Sequence, residues 1–460
     1  MGRSDAFEKG ESILVQSRPS GLTARMRSLW RLLLLKGSWA DRIAALVVIA
    51  LPWSTTATGV LVVVWLITLA LKPDAPGLSK SLSSPSGYLP VALVALAVAG
   101  TFWSDVSITE KLQGLRPYYK LLAIPLLIMQ FRCSENGRRV LIGFLASCGM
   151  LLALSFASAI WPPVAWWRPG NPGVPMKDQI AQSAEFVICA FCLLHVSMSQ
   201  WRAGRSGYSI VALALSLLFL ANVLLVATSR TELVVIALLS LLFLIKEWGW
   251  KSLPLGLLTI IALASIVWVS SSYLRGRIAH GIWEVDQYES SDRPTSIGLR
   301  LEWWQKSLGF IEQAPVFGNG TGSIPKLFRD SALGKVGASG VPIDNPHNQI
   351  FAIAIPLGAL GTIMLFSMWI AHALLFRENT AFGWFGSVVV AQNVVGCIFN
   401  SHLFDFTEGW IYVLGVGIIG GSILSERAAA AASGWYLPAM LPEVGRDKDR
   451  GLHKGQPRGN

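Results

Sequence analysis

Residues 210–228 read "IVALALSLLFLANVLLVAT", and after the turn "SRTE" (229–232) residues 233–245 read "LVVIALLSLLFLI". Both runs are nearly free of charge. A helix crosses the hydrocarbon layer of a bilayer with about 20 apolar residues. The strands of a membrane barrel would instead alternate in polarity over about ten residues, and these runs do not alternate. They predict an all-α polytopic membrane protein. Composition agrees: of 460 residues 53% are hydrophobic and 14% charged, where a soluble protein carries about 25% charge. Nineteen tryptophans suit a chain with many membrane–water interfaces.

Similar runs predict about twelve spans, near 41–54, 57–71, 88–103, 117–131, 139–161, 179–200, 209–228, 231–246, 253–273, 347–376, 382–401 and 409–425. Arg25, Arg27, Arg31, Lys36 and Arg42 precede the first. Further basic residues fall in every second loop, from Lys72 and Lys80 to Arg377. That alternation predicts that these loops and both termini are cytoplasmic. The net charge of +11 then reports anchoring at the membrane, not nucleic acid. Residues 1–40 form a basic cytoplasmic segment without the apolar core and cleavage site of a signal peptide. Spans one to nine occupy 41–273, a long periplasmic loop 274–346, spans ten to twelve 347–425, and a tail predicted to be disordered 426–460. Of five cysteines, Cys189 and Cys192 in "CAFC" have redox spacing but lie mid-span, so inert packing is the better reading.

Loops as long as 274–346 usually carry function. In "GLRLEWWQKSLGFIEQAP" (298–315), Leu301, Trp304, Leu308 and Ile311 recur at helical steps and predict an amphipathic helix ending at Pro315. The glycine-rich "VFGNGTGSI" (316–324) follows. Its backbone N–H groups suit either a phosphate cradle or, more commonly, turns.

Basic residues on the outer face run against the charge rule and need another reason. Arg116 and Lys120 enter the fourth span, Arg168 and Lys177 the third outer loop, and Arg230 a tight turn between two apolar spans. Arg300 opens the loop helix, and His347 stands at the head of the tenth span in "NPHNQI" (345–350). An unpaired guanidinium at a membrane rim is costly, yet its planar fork suits phosphate oxygens. Arg116 and Lys120 either snorkel or bind phosphate, whereas Arg168 and Lys177 read better as solvated charges. His347, collared by Asn345, Asn348 and Gln349, can accept a proton near neutral pH. His402 is a weaker candidate. Gln179, Gln182 and Glu185 at the outer end of the sixth span either contact sugar hydroxyls or satisfy one another. No ligand spacing suggests a metal, and "GNGTGS" lacks the lysine of a nucleotide loop. With no cofactor indicated, the energy of reaction is expected to arrive with an activated lipid-linked donor.

The stretch "HNQIFAIAIPLGALG" (347–361) resembles the motif H-[NSQ]-x9-G-x-x-[GTY] of O-antigen ligases, filled by His347, Asn348, Gly358 and Gly361. Upstream, "RLEWWQKSLGFIEQAPVFGNGTGSI" with its P-x-x-G-x-G-x-G, and "SR" (229–230), are similar to the region that O-antigen ligases and polymerases share. The resemblance implies a GT-C-type, metal-independent, inverting glycosyltransferase of the bacterial inner membrane. It would move O antigen from undecaprenyl diphosphate to the lipid A–core oligosaccharide. His347 matches the family's essential histidine, and Arg230 and Arg300 match essential arginines. Arg116, Lys120, Asn348, Gln182 and Glu185 are expected to bind substrate. The rivals are an O-antigen polymerase, a protein O-oligosaccharyltransferase and a lipid flippase. The first usually has two large periplasmic loops, the second a longer C-terminal extension, and the third ionisable groups deep in the bundle.

Overall fold

A computed structural model of the chain describes residues 38–165, 171–270 and 272–432. Arg168, most of the basic N-terminal segment and the tail beyond 432 lie outside the described residues. Helices α1 (Trp39–Ala50), α2 (Thr55–Ala70), α3 (Ala75–Leu82), α4 (Pro85–Ala99), α5 (Ile108–Leu115) and α6 (Ala123–Arg132) come first. They are followed by α7 (Gly137–Ile160), α8 (Gln179–Arg202), α9 (Ser206–Leu225), α10 (Arg230–Trp248) and α11 (Leu253–Ser270). The long loop contributes α12 (Ser272–Ser291), α13 (Ser296–Gln313) and α14 (Ser323–Ala332). Helices α15 (Gln349–Leu375), α16 (Ala381–Phe399) and α17 (Phe406–Ala432) close the chain. No strand occurs among the described residues. The protein is an all-α, multi-pass membrane protein.

Helices α7, α8, α9, α15, α16 and α17 are long and apolar enough to cross a membrane by length and composition. Helices α2 and α3, bent by 115° at their junction, make a seventh if counted as one span. Several of the expected spans are therefore shorter or interrupted. The clearest departure is the fourth, expected over 117–131. Residues Tyr119–Leu122 form a 3₁₀ turn and α6 has 10 residues, about 15 Å of helix. Pro117 and Pro125 explain the interruption, because neither has an N–H to donate. Helix α17 is the most enclosed element, with 94% of its apolar window buried. Its "GVGIIGG" (415–421) is the reason. A Cβ at Gly417 would stand 2.4 Å from Leu127 Cβ, and one at Gly421 2.7 Å from Phe131 Cβ, so only small residues let α6 approach.

The amphipathic helix expected over 298–313 is α13. Its packed face is offset from the expected stripe: Trp303, Ser307 and Phe310 are buried, whereas Leu301 and Leu308 are exposed. Both faces carry apolar residues, so periodicity alone could not select between them. Trp303 and Phe310 join Phe328 of α14 and Ile355 of α15 in a small core of their own. The loop is thus a packed layer seated on the first turns of α15.

Helix α15 is broken at Gly358 (φ 61°, ψ −154°), two residues after Pro356. The glycine-rich segment fills the break. The N–H groups of Asn319 and Gly320 donate to the carbonyls of Ile355 and Pro356 at 2.9 Å each, and Ala359 N–H donates to Pro315 O at 2.8 Å. Thr321 N–H donates to Gly100 O at 3.0 Å, and Thr321 Oγ1 to Ala97 O at 2.6 Å. Backbone groups freed by a helix break in a membrane protein must find partners, and this segment supplies them. The N–H groups of Gly318, Asn319, Gly320 and Thr321 are committed to the protein, so this stretch acts as a backbone clasp where a phosphate cradle would need them free.

Candidate functional site

The short segment before α15 and the turn between α16 and α17 are bolted together. Asn345 Oδ1 accepts from Ser401 Oγ at 2.6 Å and from His347 N–H at 3.0 Å. Asn348 caps α15, accepting from Ile350 and Phe351 N–H at 2.9 and 3.2 Å, while its Nδ2 donates to Ile398 O at 2.8 Å. Gln349 Oε1 accepts from Phe404 N–H at 3.3 Å. Lys120 Nζ donates to the carbonyls of Phe404 and Asp405 at 3.0 and 2.6 Å. Within this frame His347 adopts φ 51°, a left-handed conformation that costs a non-glycine residue about 1–3 kcal/mol unless its surroundings enforce it.

The His347 ring stacks on Trp303, with centroids 5.5 Å apart and planes at 27°. The neighbouring Trp304 fixes the approach of α13 by donating from Nε1 to Pro346 O at 3.2 Å. Arg300 lies one turn before Trp303, so both reach the same side of the helix. Arg300 Nη2 donates to Asn400 Oδ1 at 3.4 Å. Asn400 Nδ2 also meets His402 Nε2 at 3.5 Å. Burial, then the charge of Arg300, hold His347 below its ordinary pKa, with Asn400 opposing. Burial and the charge of Arg230 likewise lower Arg300, with Glu284 opposing; an arginine so placed still remains charged.

Arg230 is the first residue of α10, 4.0 Å from Glu284 Oε2 and about half exposed. The preceding turn is pinned from α8, where Gln179 Nε2 donates to Thr228 O and Ser183 Oγ to Ala227 O. Glu284 is buried on α12 and also faces His280 Nδ1 at 3.4 Å. The site therefore gathers one neutral-leaning imidazole and two guanidinium groups, with Asn400 on Arg300. A group able to accept a proton stands beside groups of a kind that suits phosphate oxygens.

Of the eight residues expected at the site, His347, Arg300 and Arg230 come together. The other five are placed differently. Lys120 and Asn348 hold backbone, as above. Gln182 Nε2 donates to Gly173 O at 2.9 Å and Ser155 Oγ at 3.1 Å. Glu185 is buried 3.9 Å from Lys177 Nζ, which also donates to Thr407 Oγ1 at 3.0 Å. Arg116 is exposed at the end of α5. In each of the first four cases a polar side chain that looked available is spent on the fold. His402 is fully buried beside Asn400, where burial lowers its pKa to about 4. Asn400, Trp303 and Glu284 were not indicated by the sequence. Asn400 ends an apolar helix and Trp303 lies in a tryptophan pair, and neither has a local pattern that marks it.

Residues 214–366 match a protein-family model described as O-antigen ligase. The match runs from α9 into α15 and includes Arg230, Arg300 and His347. A Haemophilus influenzae protein described as uncharacterized is 26% identical over 143 residues, 30% of this chain and 36% of that protein. The chain thus spans about a third of the length of that relative. Over residues 214–366, the stretch that supplies the imidazole and both arginines, the chain is similar to the O-antigen ligase family.

Proposed function

We propose that the protein is an O-antigen ligase, a glycosyltransferase that moves O antigen from undecaprenyl diphosphate to a sugar hydroxyl of lipid A–core. The single observation that carries this reading is the His347 ring stacked on Trp303, one helical turn from Arg300, whose Nη2 meets Asn400, which sets a proton acceptor beside a guanidinium group. The acceptor hydroxyl attacks the anomeric carbon and passes its proton to the His347 imidazole. The bond from that carbon to the diphosphate oxygen breaks, and undecaprenyl diphosphate leaves with the electron pair. Arg300 and Arg230 meet the growing negative charge where water is partly excluded. Direct attack inverts the anomeric centre. The left-handed backbone at His347 supports the reading, because strained conformations concentrate at functional positions. The alternation of basic loops supports an inner-membrane location with the site facing the periplasm.

A deletion strain tests the reaction. It is expected to accumulate long O-antigen chains on the undecaprenyl carrier and to show lipid A–core bearing none. Single repeats joined to the core would identify a polymerase instead and overturn the ligase assignment. A second expectation concerns the arginines. Arg300→Lys and Arg230→Lys keep the charge but lose the planar fork. Each is expected to slow transfer by about 10- to 100-fold, the worth of a charge-assisted hydrogen bond of about 1.5–3 kcal/mol. Turnover of purified variants with a lipid-linked donor measures this, and wild-type rates from both would reduce the arginines to general electropositive groups.

A further inference from the structure

At the end of the bundle opposite His347, helices α7, α8, α16 and α17 stand apart around a cavity of about 510 Å³. Its walls are apolar, including Leu145, Cys192, Phe385 and Ile418. Ile188 and Gln200, both of α8, line it; at about 1.5 Å per residue it is about 18 Å long. It begins near Leu51 and ends at a mouth formed by Arg138, Ser199, Gln200 and Glu426. An apolar cavity of about 150 Å³ already stays dry and takes up small hydrocarbons, so this one suits a long apolar chain better than water. The mouth adds a separate requirement. Arg138 of α7 and Glu426 of α17 are both exposed. They lie on the same opening without bonding one another, and neither has an ion-pair partner among the described residues. His195 also lines the cavity, but it is engaged by Glu247 at 3.1 Å, which Arg202 holds at 2.7 Å. The mouth therefore offers one cation and one carboxylate, the complement of a headgroup carrying both charges.

We propose that this cavity holds one hydrocarbon chain of a zwitterionic glycerophospholipid, its phosphate at Arg138 and its ammonium group at Glu426. The apolar cavity takes the chain and the mixed-charge mouth selects the headgroup. The proposal does not depend on the glycosyltransferase reading. It is tested on the full-length protein purified in mild detergent, supplied with equal phosphatidylethanolamine and phosphatidylglycerol, washed, and assayed for retained lipid by mass spectrometry. Wild type is expected to retain phosphatidylethanolamine in preference. Glu426→Lys, an exposed change that leaves the interior intact, is expected to shift the retained ratio towards phosphatidylglycerol by roughly two- to fivefold, the factor an exposed ion pair provides. Cys192→Trp and Leu145→Trp fill the slot and are expected to bring retention down to the background of bare detergent exchange. Retention that ignores both the filling and the charge change would mean surface lipid only and would overturn the proposal. So would wild type that retains no lipid above that background. If the tryptophan variants do not fold, the ratio in Glu426→Lys still decides.

Discussion

Alanine at position 347 is expected to lower glycosyl transfer by about 10²–10⁴-fold, the usual contribution of a single general base, while leaving the protein folded. The ring is half-buried and held mainly by stacking on Trp303, so its removal opens little of the core. The backbone complicates a simple reading, because φ 51° strains alanine as well. His347→Gly removes the ring without that strain and is expected to be as inactive as His347→Ala. Turnover of lipid-linked donor, read beside a thermal melt, measures both; a glycine variant with near-wild-type turnover would sink the imidazole's role. The pH profile carries a second signature. Burial and the Arg300 charge disfavour the imidazolium, so the folded pKa lies below the ordinary 6.5. The neutral base therefore persists as pH falls through 6.5, and the acid limb of activity is expected below that value. Removing the neighbouring charge acts with the opposite sign. The residual activity of Arg300→Gln is expected to be lost at a higher pH than that of wild type, and an unmoved limb would separate the two residues.

Gly358→Ala is expected to be the most destabilising small substitution in the loop layer. The backbone there (φ 61°, ψ −154°) belongs to a region open almost only to glycine, at about 1–3 kcal/mol for any other residue. A Cβ would also stand 2.4 Å from Val316 O and 2.7 Å from Gly318 N, both backbone atoms that cannot swing aside. The clasp must move, and with it the hydrogen bonds to Ile355 and Pro356, each worth about 0.5–1.5 kcal/mol. A total of about 3 kcal/mol or more is expected, seen as a lower melting temperature in detergent and faster proteolysis within 316–324. Gly309→Ala is the control: it lies within α13 with nothing inside 4 Å of the added Cβ, and it is expected to be neutral or slightly stabilising. Equal melting of the two variants would remove the clasp from the stability of the layer.

The membrane class was legible because it depends on composition along short windows, as at 210–228. Arg230 stood out for a related reason, as a guanidinium in a tight turn between two apolar runs, whereas Arg300 and His347 stood out as basic residues on the face where the charge rule does not place them. What the sequence hid was pairing. Arg300 meets Asn400 across 100 positions, and Lys120 meets Phe404 across 284. No local pattern distinguishes a lysine that binds a ligand from one that holds two carbonyls. The face of α13 was hidden by symmetry, since apolar residues flank both sides and only the partner chooses. The glycine-rich stretch was legible as turns, but its use as a filler for a broken helix depends on Pro356 and Gly358, some 40 residues away.

The clasp also sets limits on exchange between relatives. The carbonyls of Ile355 and Pro356 before the break and the N–H groups of Ala359 and Leu360 after it are tied by backbone bonds to 315–320, and the rest of the helix runs on among the membrane helices. The loop layer and the head of α15 are therefore one heritable block, interrupted in sequence but not in space. A chimaera joined between residues 320 and 358 would pair one parent's clasp with the other's break. Its junction would depend on main-chain register alone, so even conservative side-chain differences could not repair a single inserted or deleted residue. Productive swaps between relatives should be cut outside 315–361, with the whole interval taken from one parent.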